Sequence, residues 1–189
     1  MFIREVLAVL ASCTIGSSAF LVEQIIQVPL QPAQSINSLT ADRNGNLVVT
    51  GMNVQGGFVS KLDPLGTVIF SFVNFGTFPA GAAVDANGDI YWIGTGGAPG
   101  FPPFPFTKKV LPIPDLGSKI PGFVVKFRGT DGSIIWAAEL DALQPQTIAL
   151  DASGRITLSG YATTAPGLAT PGAYESPAAG TVAPLASLN

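Results

Sequence analysis

Short apolar segments separated by polar turns run along the chain from residue 36 onward. The first four segments are residues 36–41, 46–50, 57–62 and 67–75. Each is followed by Gly, Pro, Asn or Asp, the residues that favour tight connections between strands. The pattern predicts four antiparallel strands joined by hairpins.

Two of these strands contain consecutive apolar residues, Leu47-Val48-Val49 and Val68-Ile69-Phe70. A strand with one face in water alternates apolar and polar residues instead. We therefore expect neighbouring units to cover both faces of the four-stranded unit.

A longer pattern recurs three times, with an aspartate, a glycine and a terminal glycine at constant offsets, and its aspartates are Asp42, Asp85 and Asp151. A second pattern, Gly57-Phe58-Val59-Ser60-Lys61-Leu62, alternates with the first and returns as Gly122-Phe123-Val124-Val125-Lys126-Phe127. Positions 42 and 85 differ by 43 residues, whereas positions 85 and 151 differ by 66, so the second copy contains an insertion. A period of about 40–45 residues with four strands is typical of a β-propeller blade.

The predicted fold is all-β: a partial β-propeller of four-stranded antiparallel blades, with about two and a half blades present. The predicted boundaries are a signal peptide at 1–19, a lead-in segment at 20–35, blade 1 at 36–78, blade 2 at 79–143 with an insertion at 96–121, and an incomplete blade 3 at 144–189. Because propellers close with about four to eight blades, we expect a fragment that associates with the remaining blades or with itself.

The two patterns together resemble a known bacterial repeat. Asp-x-x-Gly-x-(apolar)-x-(apolar)-x-Gly and Gly-Phe-Val-x-Lys-(apolar) look like the SBBP-type β-propeller repeat. The third copy adds Thr170-Pro171-Gly172-Ala173-Tyr174, similar to that family's Thr-Pro-Gly-Ala-(aromatic) segment. The resemblance covers residues 36–189. It implies a large exported protein of undefined activity, and it carries over no catalytic residue because the repeat has no catalytic motif.

The first 19 residues have the features of an export signal. Arg4 supplies a positive charge, residues 6–11 are apolar, and Ser17-Ser18-Ala19 offers small residues for cleavage before Phe20. One alternative is a buried first strand or helix of the domain. Another is lipidation at Cys13, because Leu10-Ala11-Ser12-Cys13 resembles a lipobox. Export predicts an extracellular, periplasmic or outer-surface location.

Composition narrows the classes of partner. Charged residues make up 11% of the chain and hydrophobic residues 47%, a mixture that argues against disorder. With 9 basic and 12 acidic residues, the net charge of −3 makes nucleic acid an unexpected partner. No apolar run reaches about 18 residues, so no transmembrane helix is expected.

The sequence assigns no catalytic, cofactor-binding or metal-binding residue. The chain has no histidine, the commonest general base, and its single cysteine excludes an intrachain disulfide. Residues 42–46 and 85–89 space oxygen atoms as in the first half of a calcium loop but lack its final acidic ligand. We interpret them as hairpin turns in which the aspartate binds its own backbone.

Three further features have competing interpretations. Residues 94–100 are glycine-rich but lack the lysine of a phosphate loop, so we interpret them as a loop after a strand. Glu139 with Asp141, and Asp63 with Asp85, are candidate acid/base pairs that we interpret as strand-end and turn carboxylates. The Phe- and Pro-rich residues 101–106 either form a recognition surface for sugar or peptide or fold back onto blade 2.

The sequence therefore predicts an exported, non-catalytic β-propeller repeat module with a binding or structural role at the cell exterior. Its ligand is unknown, with carbohydrate and protein as candidates, and no cofactor is implied. The alternative is the N-terminal part of a propeller enzyme, a lyase or hydrolase whose site lies in further blades.

Overall fold

The computed structural model describes residues 33–96, 122–140 and 143–162, together with four short strands at Leu7–Leu10, Gln24–Gln27, Lys108–Lys109 and Leu185–Leu188. Throughout this described part the backbone forms strands and turns and no helix, so the all-β prediction is confirmed. Accordingly, the described residues include no helix able to cross a membrane.

The described strands follow one another in a regular order along the chain. They are β1 (Leu7–Leu10), β2 (Gln24–Gln27), β3 (Ala33–Ala41), β4 (Leu47–Asn53), β5 (Gly56–Leu62), β6 (Val68–Asn74), β7 (Thr77–Val84), β8 (Ile90–Gly96), β9 (Lys108–Lys109), β10 (Gly122–Phe127), β11 (Ile134–Leu140), β12 (Leu143–Leu150), β13 (Ile156–Ala162) and β14 (Leu185–Leu188).

These strands form three repeated sheets and one two-stranded sheet, β1-β2. Sheet I has the order β3-β4-β5-β6, sheet II the order β7-β8-β10-β11-β9, and sheet III the order β12-β13-β14. All pairings are antiparallel except the one between β9 and β11, which is parallel. The four strands predicted for the first repeat are those of sheet I, although β3 begins at Ala33 rather than at residue 36.

The three sheets share one register between their second and third strands. Leu47 lies opposite Leu62 in sheet I, Ile90 opposite Phe127 in sheet II, and Ile156 opposite Leu188 in sheet III. Residues that align in the repeat therefore occupy equivalent positions in successive sheets.

The turn after the first strand of each sheet is also the same. In sheet I the amide of Asp42 donates to the carbonyl of Asn46 at 2.9 Å, and the amide of Gly45 donates to the carbonyl of Asp42 at 3.1 Å. Equivalent bonds form at Asp85 and Asp151. The turn glycines have φ of 79°, 83° and 81°, a left-handed backbone that explains the glycine in each copy.

Sheet II is covered on both faces. Along β8, Ile90 and Trp92 belong to a core shared with sheet I, whereas Tyr91 and Ile93 belong to a core shared with sheet III. Because side chains alternate between the faces of a strand, consecutive apolar residues serve two different cores. At the first junction the ring of Phe72 in sheet I lies 5.0 Å from that of Phe127.

The sequence predicts that the apolar runs of β4 and β6 are both buried. This prediction is right for β4 and wrong for β6. Leu47, Val48 and Val49 are buried. On β6, however, Val68 and Ile69 are 38% and 41% exposed. The reason is position, since β6 is the outermost strand of sheet I.

Two glycines mark the junctions between sheets. A Cβ on Gly57 would lie 2.7 Å from Cδ of Pro79, and one on Gly122 would lie 2.6 Å from Cδ of Pro145. Pro79 and Pro145 stand at the same position in β7 and β12, six residues before the repeat aspartate. Sheet II therefore docks on sheet I in the same way that sheet III docks on sheet II.

Several predicted features lie outside the described residues or are only partly described. Cys13, Ala19 and residues 101–106 lie outside them. Strand β1 falls within the predicted signal peptide, so cleavage after Ala19 would separate it from its partner β2. Of the insertion, Gly96 and strand β9 are described, and β9 lies along the outer edge of sheet II.

Candidate functional site

Each sheet has a bulge at the same place in its first strand. The strand registers shift between Ile36 and Ser38, between Pro79 and Gly81, and between Pro145 and Thr147. The bulged residues are therefore Asn37, Ala80 and Gln146, each five positions before the repeat aspartate. Bulges often occur beside functional sites, where they redirect a side chain.

The terminal glycine of the first pattern makes room for the bulge. A Cβ on Gly51 would overlap the carbonyl oxygen of Ser35, and one on Gly94 would overlap that of Phe78. Gly160 stands in the same relation to the carbonyl of Gln144. The bulge and the glycine facing it are thus one structural unit, present three times.

The bulges of the three sheets surround a cleft of about 380 Å³, which we call the bulge-end cleft. This volume falls within the range of small-molecule sites. Its described lining contains no charged residue and consists of Ile36, Asn37, Phe78, Pro79, Ala80, Thr95, Pro145 and Gln146.

The polar groups of this cleft differ in their hydrogen bonding. Nδ2 of Asn37 donates to the carbonyl of Pro79 at 2.7 Å, and Oδ1 of Asn37 accepts from Oγ of Ser35 at 3.0 Å. These bonds fix the Asn37 amide across the junction of sheets I and II. By contrast, the side chains of Thr95 and Gln146 make no hydrogen bond within the described residues, which leaves them available to a ligand.

A second cleft of about 330 Å³ lies at the opposite end of the same strands, beside the repeat turns. This turn-end cleft is charged, since Arg43, Asp85 and Asp151 contribute to its lining. Of the two calcium-like loops identified in the sequence, residues 85–89 contribute Asp85 to this lining, whereas Asp42 does not belong to it.

The oxygens of those aspartates already accept hydrogen bonds. Oδ1 of Asp42 accepts from the amides of Asn44 and Asn46, both at 2.9 Å, as the turn interpretation requires. Its Oδ2 accepts from Nδ2 of Asn46 at 2.8 Å and forms an ion pair with Lys61 at 3.0 Å. Among the described residues, no group of three or more candidate metal ligands occurs.

The second lysine repeats this ion pair in sheet II. Nζ of Lys126 lies 3.0 Å from Oδ2 of Asp85 and 3.2 Å from Oδ2 of Asp89. Burial would lower the pKa of Lys126, but hydrogen bonding to Tyr91 and to the two carboxylates raises it above its ordinary value. In sheet III the position of this lysine is occupied by Ser187, which lies opposite Thr157. Asp151 forms an ion pair with Arg155 instead, in which its Oδ2 lies 3.8 Å from Nε.

The two candidate acid/base pairs receive no support as sites. Oδ1 of Asp63 accepts from the amides of Leu65 and Thr67 in its own turn, and Asp85 binds its own turn and Lys126. Glu139 lies on β11, opposite Lys109 of β9, and Asp141 lies outside the described residues.

Sequence reasoning missed the bulge-end cleft. The available signal was proline in a first strand, at Pro79 and Pro145, because proline within a sheet favours edges and bulges. Aligning the repeats on their aspartates would then have placed Asn37, Ala80 and Gln146 at one position.

No protein-family model and no curated protein matches the chain. Among solved structures, the chain is similar to an ACO/RPE65 chimera with a TM-score of 0.36 and 14% identity, over 71% of this chain and 30% of that one. It is also similar to a mutant of Synechocystis ACO, with a TM-score of 0.37 and 14% identity, over 72% of this chain and 30% of that one. The chain thus spans under a third of either protein, and similarities of this size carry no argument about its activity.

Proposed function

We propose that this chain is part of an exported, non-catalytic β-propeller of the SBBP type, with a binding or structural role at the cell exterior. The observation that carries the proposal is the repeated junction. Gly57 receives Pro79, and Gly122 receives Pro145, so one spatial relation connects sheets I and II and sheets II and III. Four-stranded sheets stacked by a constant relation around their first strands form a propeller.

The repeat motifs also have structural roles that account for their recurrence. The aspartate and the lysine form ion pairs in sheets I and II, one glycine forms the turn, and another accommodates the bulge. Because these structural roles account for the recurring residues and need no catalytic function, they support a structural repeat. The binding role is supported by the neutral bulge-end cleft, whose amide and hydroxyl groups suit recognition.

The radial arrangement is tested by a disulfide between the first strands of sheets I and II. A Cβ on Gly81 would lie 3.9 Å from Cβ of Ser38, close to the spacing of about 3.8 Å in disulfides. In a Cys13→Ala background, we expect Ser38→Cys with Gly81→Cys to form an intramolecular bridge on oxidation. Thiol titration and non-reducing mass spectrometry report the bridge.

Leu39→Cys with Gly81→Cys is the matched control. The Leu39 side chain points to the opposite face of β3, because alternate residues face opposite sides. This pair should stay reduced. Equal bridging in both pairs, or in neither, would contradict the proposed packing of the first strands.

Export is tested separately. Residues 1–35 fused to a reporter enzyme that folds only outside the cytoplasm should give activity, and the secreted product should begin at Phe20. The alternative is lipidation at Cys13. If membrane attachment occurs and Cys13→Ala abolishes it, the protein is a lipoprotein; an inactive fusion would contradict export.

A further inference from the structure

The bulge-end cleft has a chemical character that its lining defines. The cleft faces the first strands of all three sheets, and no charged side chain belongs to its described lining. The turn-end cleft, formed by the same three strands, contains Arg43, Asp85 and Asp151. The two ends of one structure therefore suit different ligands, and the bulge end suits a neutral one.

An aromatic ring forms one wall of this cleft. Phe78 is 55% exposed although it lies on a strand between two packed sheets. The described residues offer its ring no aromatic neighbour. A large apolar ring held in water beside a cavity is suited to stacking against an apolar ligand surface.

Two polar residues from other strands line the cleft together with Phe78. Gln146 projects from the bulge of β12, and Thr95 lies near the end of β8. An amide both donates and accepts hydrogen bonds, and so does a hydroxyl. Ala80, the bulged residue of β7, stands between the bulged residues Asn37 and Gln146 of the neighbouring sheets. Its side chain is only a methyl group, so no longer side chain fills the middle of the cleft.

From these observations we infer that the bulge-end cleft is a binding site for a neutral carbohydrate. The Phe78 ring stacks on the apolar face of a pyranose, and the Gln146 amide and Thr95 hydroxyl bind its hydroxyl groups. Asn37 is a positioning residue, because its bonds to Ser35 and Pro79 hold the wall of the cleft. This inference rests on the proposed function, since it names the ligand class of the proposed binding module.

The cleft volume sets the size of the ligand. A cleft of about 380 Å³ accommodates one or two sugar rings, at the lower end of the range for small-molecule sites. A longer oligosaccharide would extend beyond the cleft into solvent. Affinity should therefore reach a plateau at short chain lengths.

Calorimetric titration of the full chain with neutral oligosaccharides tests the inference. The probes are the hexaoses of cellulose, xylan, chitin, mannan and starch, with an oligogalacturonate as the anionic comparison. We expect at least one neutral hexaose to bind with an affinity that changes little between low and high salt, because no charge pair contributes. Tighter binding of the oligogalacturonate would overturn the inference.

Three variants locate the site. Phe78→Ala and Gln146→Ala should each weaken binding at least tenfold while leaving the melting temperature nearly unchanged, because both side chains are exposed. Leu65→Ala is the control, since Leu65 is 82% exposed in the β5–β6 turn at the opposite end of the sheet. Unchanged affinity in Phe78→Ala and Gln146→Ala would overturn the assignment.

The disulfide experiment distinguishes a failure of the carbohydrate inference from a failure of the proposed fold. If the Ser38–Gly81 cysteine pair bridges but no neutral hexaose binds, the carbohydrate inference is wrong and the propeller module stands. If the bridge does not form, the proposed architecture is wrong, and binding that survives would belong to another fold.

Discussion

The ion pair between Asp42 and Lys61 is the most buried charged contact among the described residues. The side chains are 2% and 5% exposed, respectively, and Nζ of Lys61 also donates to the carbonyl of Gly88 in sheet II at 3.3 Å. The lysine therefore neutralises a carboxylate within its own sheet and connects that sheet to the next. Removing one member of a buried pair leaves an uncompensated charge.

Lys61→Met should accordingly lower the free energy of unfolding by about 3–5 kcal/mol. Urea denaturation measures the change. Adding Asp42→Asn should restore much of the loss, because asparagine is neutral and still accepts hydrogen bonds from the turn amides. A double variant as unstable as Lys61→Met alone would contradict this explanation.

Thr50 presents the opposite situation, a buried polar group without a partner. Its hydroxyl is fully buried in β4 and has no hydrogen bond within the described residues. Thr50→Val keeps the shape and removes the unsatisfied hydroxyl, so we expect stabilisation of about 1 kcal/mol. Urea denaturation measures it.

Ser60→Ala is the matched control for Thr50. Ser60 is also buried, but its Oγ lies 2.8 Å from Oγ of Ser71. Ser60→Ala should lower the free energy of unfolding by about 1 kcal/mol, because it removes this hydrogen bond. Destabilisation by Thr50→Val would show that the hydroxyl has a hydrogen-bond partner.

At the level of elements, the junction glycines determine how the sheets dock. A Cβ on Gly122 would overlap the carbonyl of Leu143 and would lie 2.6 Å from Cδ of Pro145. Gly122→Ala should destabilise the protein by about 1–3 kcal/mol, because overpacking forces the backbone of β12 to move. Hydrogen exchange should quicken in β12 more than in β3.

Gly154→Ala is the matched control for Gly122→Ala, because it strains the backbone without disturbing the docking of the sheets. Gly154 has φ of 81°, and a Cβ there would meet nothing within 4 Å. Its replacement by alanine should lower the free energy of unfolding by about 1–2 kcal/mol, because alanine disfavours the left-handed backbone. Hydrogen exchange in β12 should then resemble that of the unchanged protein; faster exchange there would contradict the role given to Gly122.

The outermost strand of sheet I is an edge without charge. Strand β6 contains no charged residue and no proline, and Val68, Ile69 and Val73 are partly exposed. The equivalent strand β11 contains Glu139 and is covered by β9 at Ala138 and Glu139. Long, exposed, apolar edges pair with other chains unless charge or cover prevents it.

Ile69→Lys should therefore reduce self-association, measured by sedimentation velocity across a concentration series. The matched control is Ile135→Lys, because Ile135 occupies the equivalent position on β11 and is 40% exposed, against 41% for Ile69. The control should change association less. Equal effects of the two lysines would indicate a change in net charge rather than a blocked edge.

Local chemistry made much of sheets I to III predictable. The turns depend on an aspartate and a glycine close in sequence, and the turn then sets the register, as in Leu47 opposite Leu62. The exposure of Ile69 was not predictable from its apolar neighbours, because it depends on how far the next sheet extends. The cleft was missed because it forms where Asn37, Phe78 and Gln146, distant in sequence, meet in space.

For the whole molecule, aspartates whose pKa values are lowered in the folded state make stability depend on pH, and Asp42 and Asp85 are the buried ones among them. Burial would raise the pKa values of Asp42 and Asp85, but hydrogen bonds from Asn46 and Lys61 to Asp42, and from Lys126 to Asp85, hold both below the ordinary value. Their contribution to stability is present above the unfolded pKa of about 3.9 and is lost as pH falls through the folded values. Lys126 has a raised pKa, so its contribution is lost only in strong alkali, as pH rises through that value.

Thermal melting between pH 7 and pH 2 should therefore show a fall in midpoint below about pH 4. The double variant Asp42→Asn with Lys61→Met should fall less steeply, since one of the two carboxylates is gone. Parallel curves for the two proteins would contradict the assignment to Asp42.

The three bulges determine which side chains of the cleft can be exchanged without changing the fold. A bulged residue stands outside the strand ladder, and the glycine facing it absorbs the irregularity, so the side chains of Ala80 and Gln146 are little constrained by folding, whereas Asn37 also bonds to Pro79 across the junction. Three such positions converge on one opening and now carry Asn37, Ala80 and Gln146. We therefore expect that exchanging Ala80 and Gln146 alone would change the ligand selectivity of the bulge-end cleft on an unchanged scaffold.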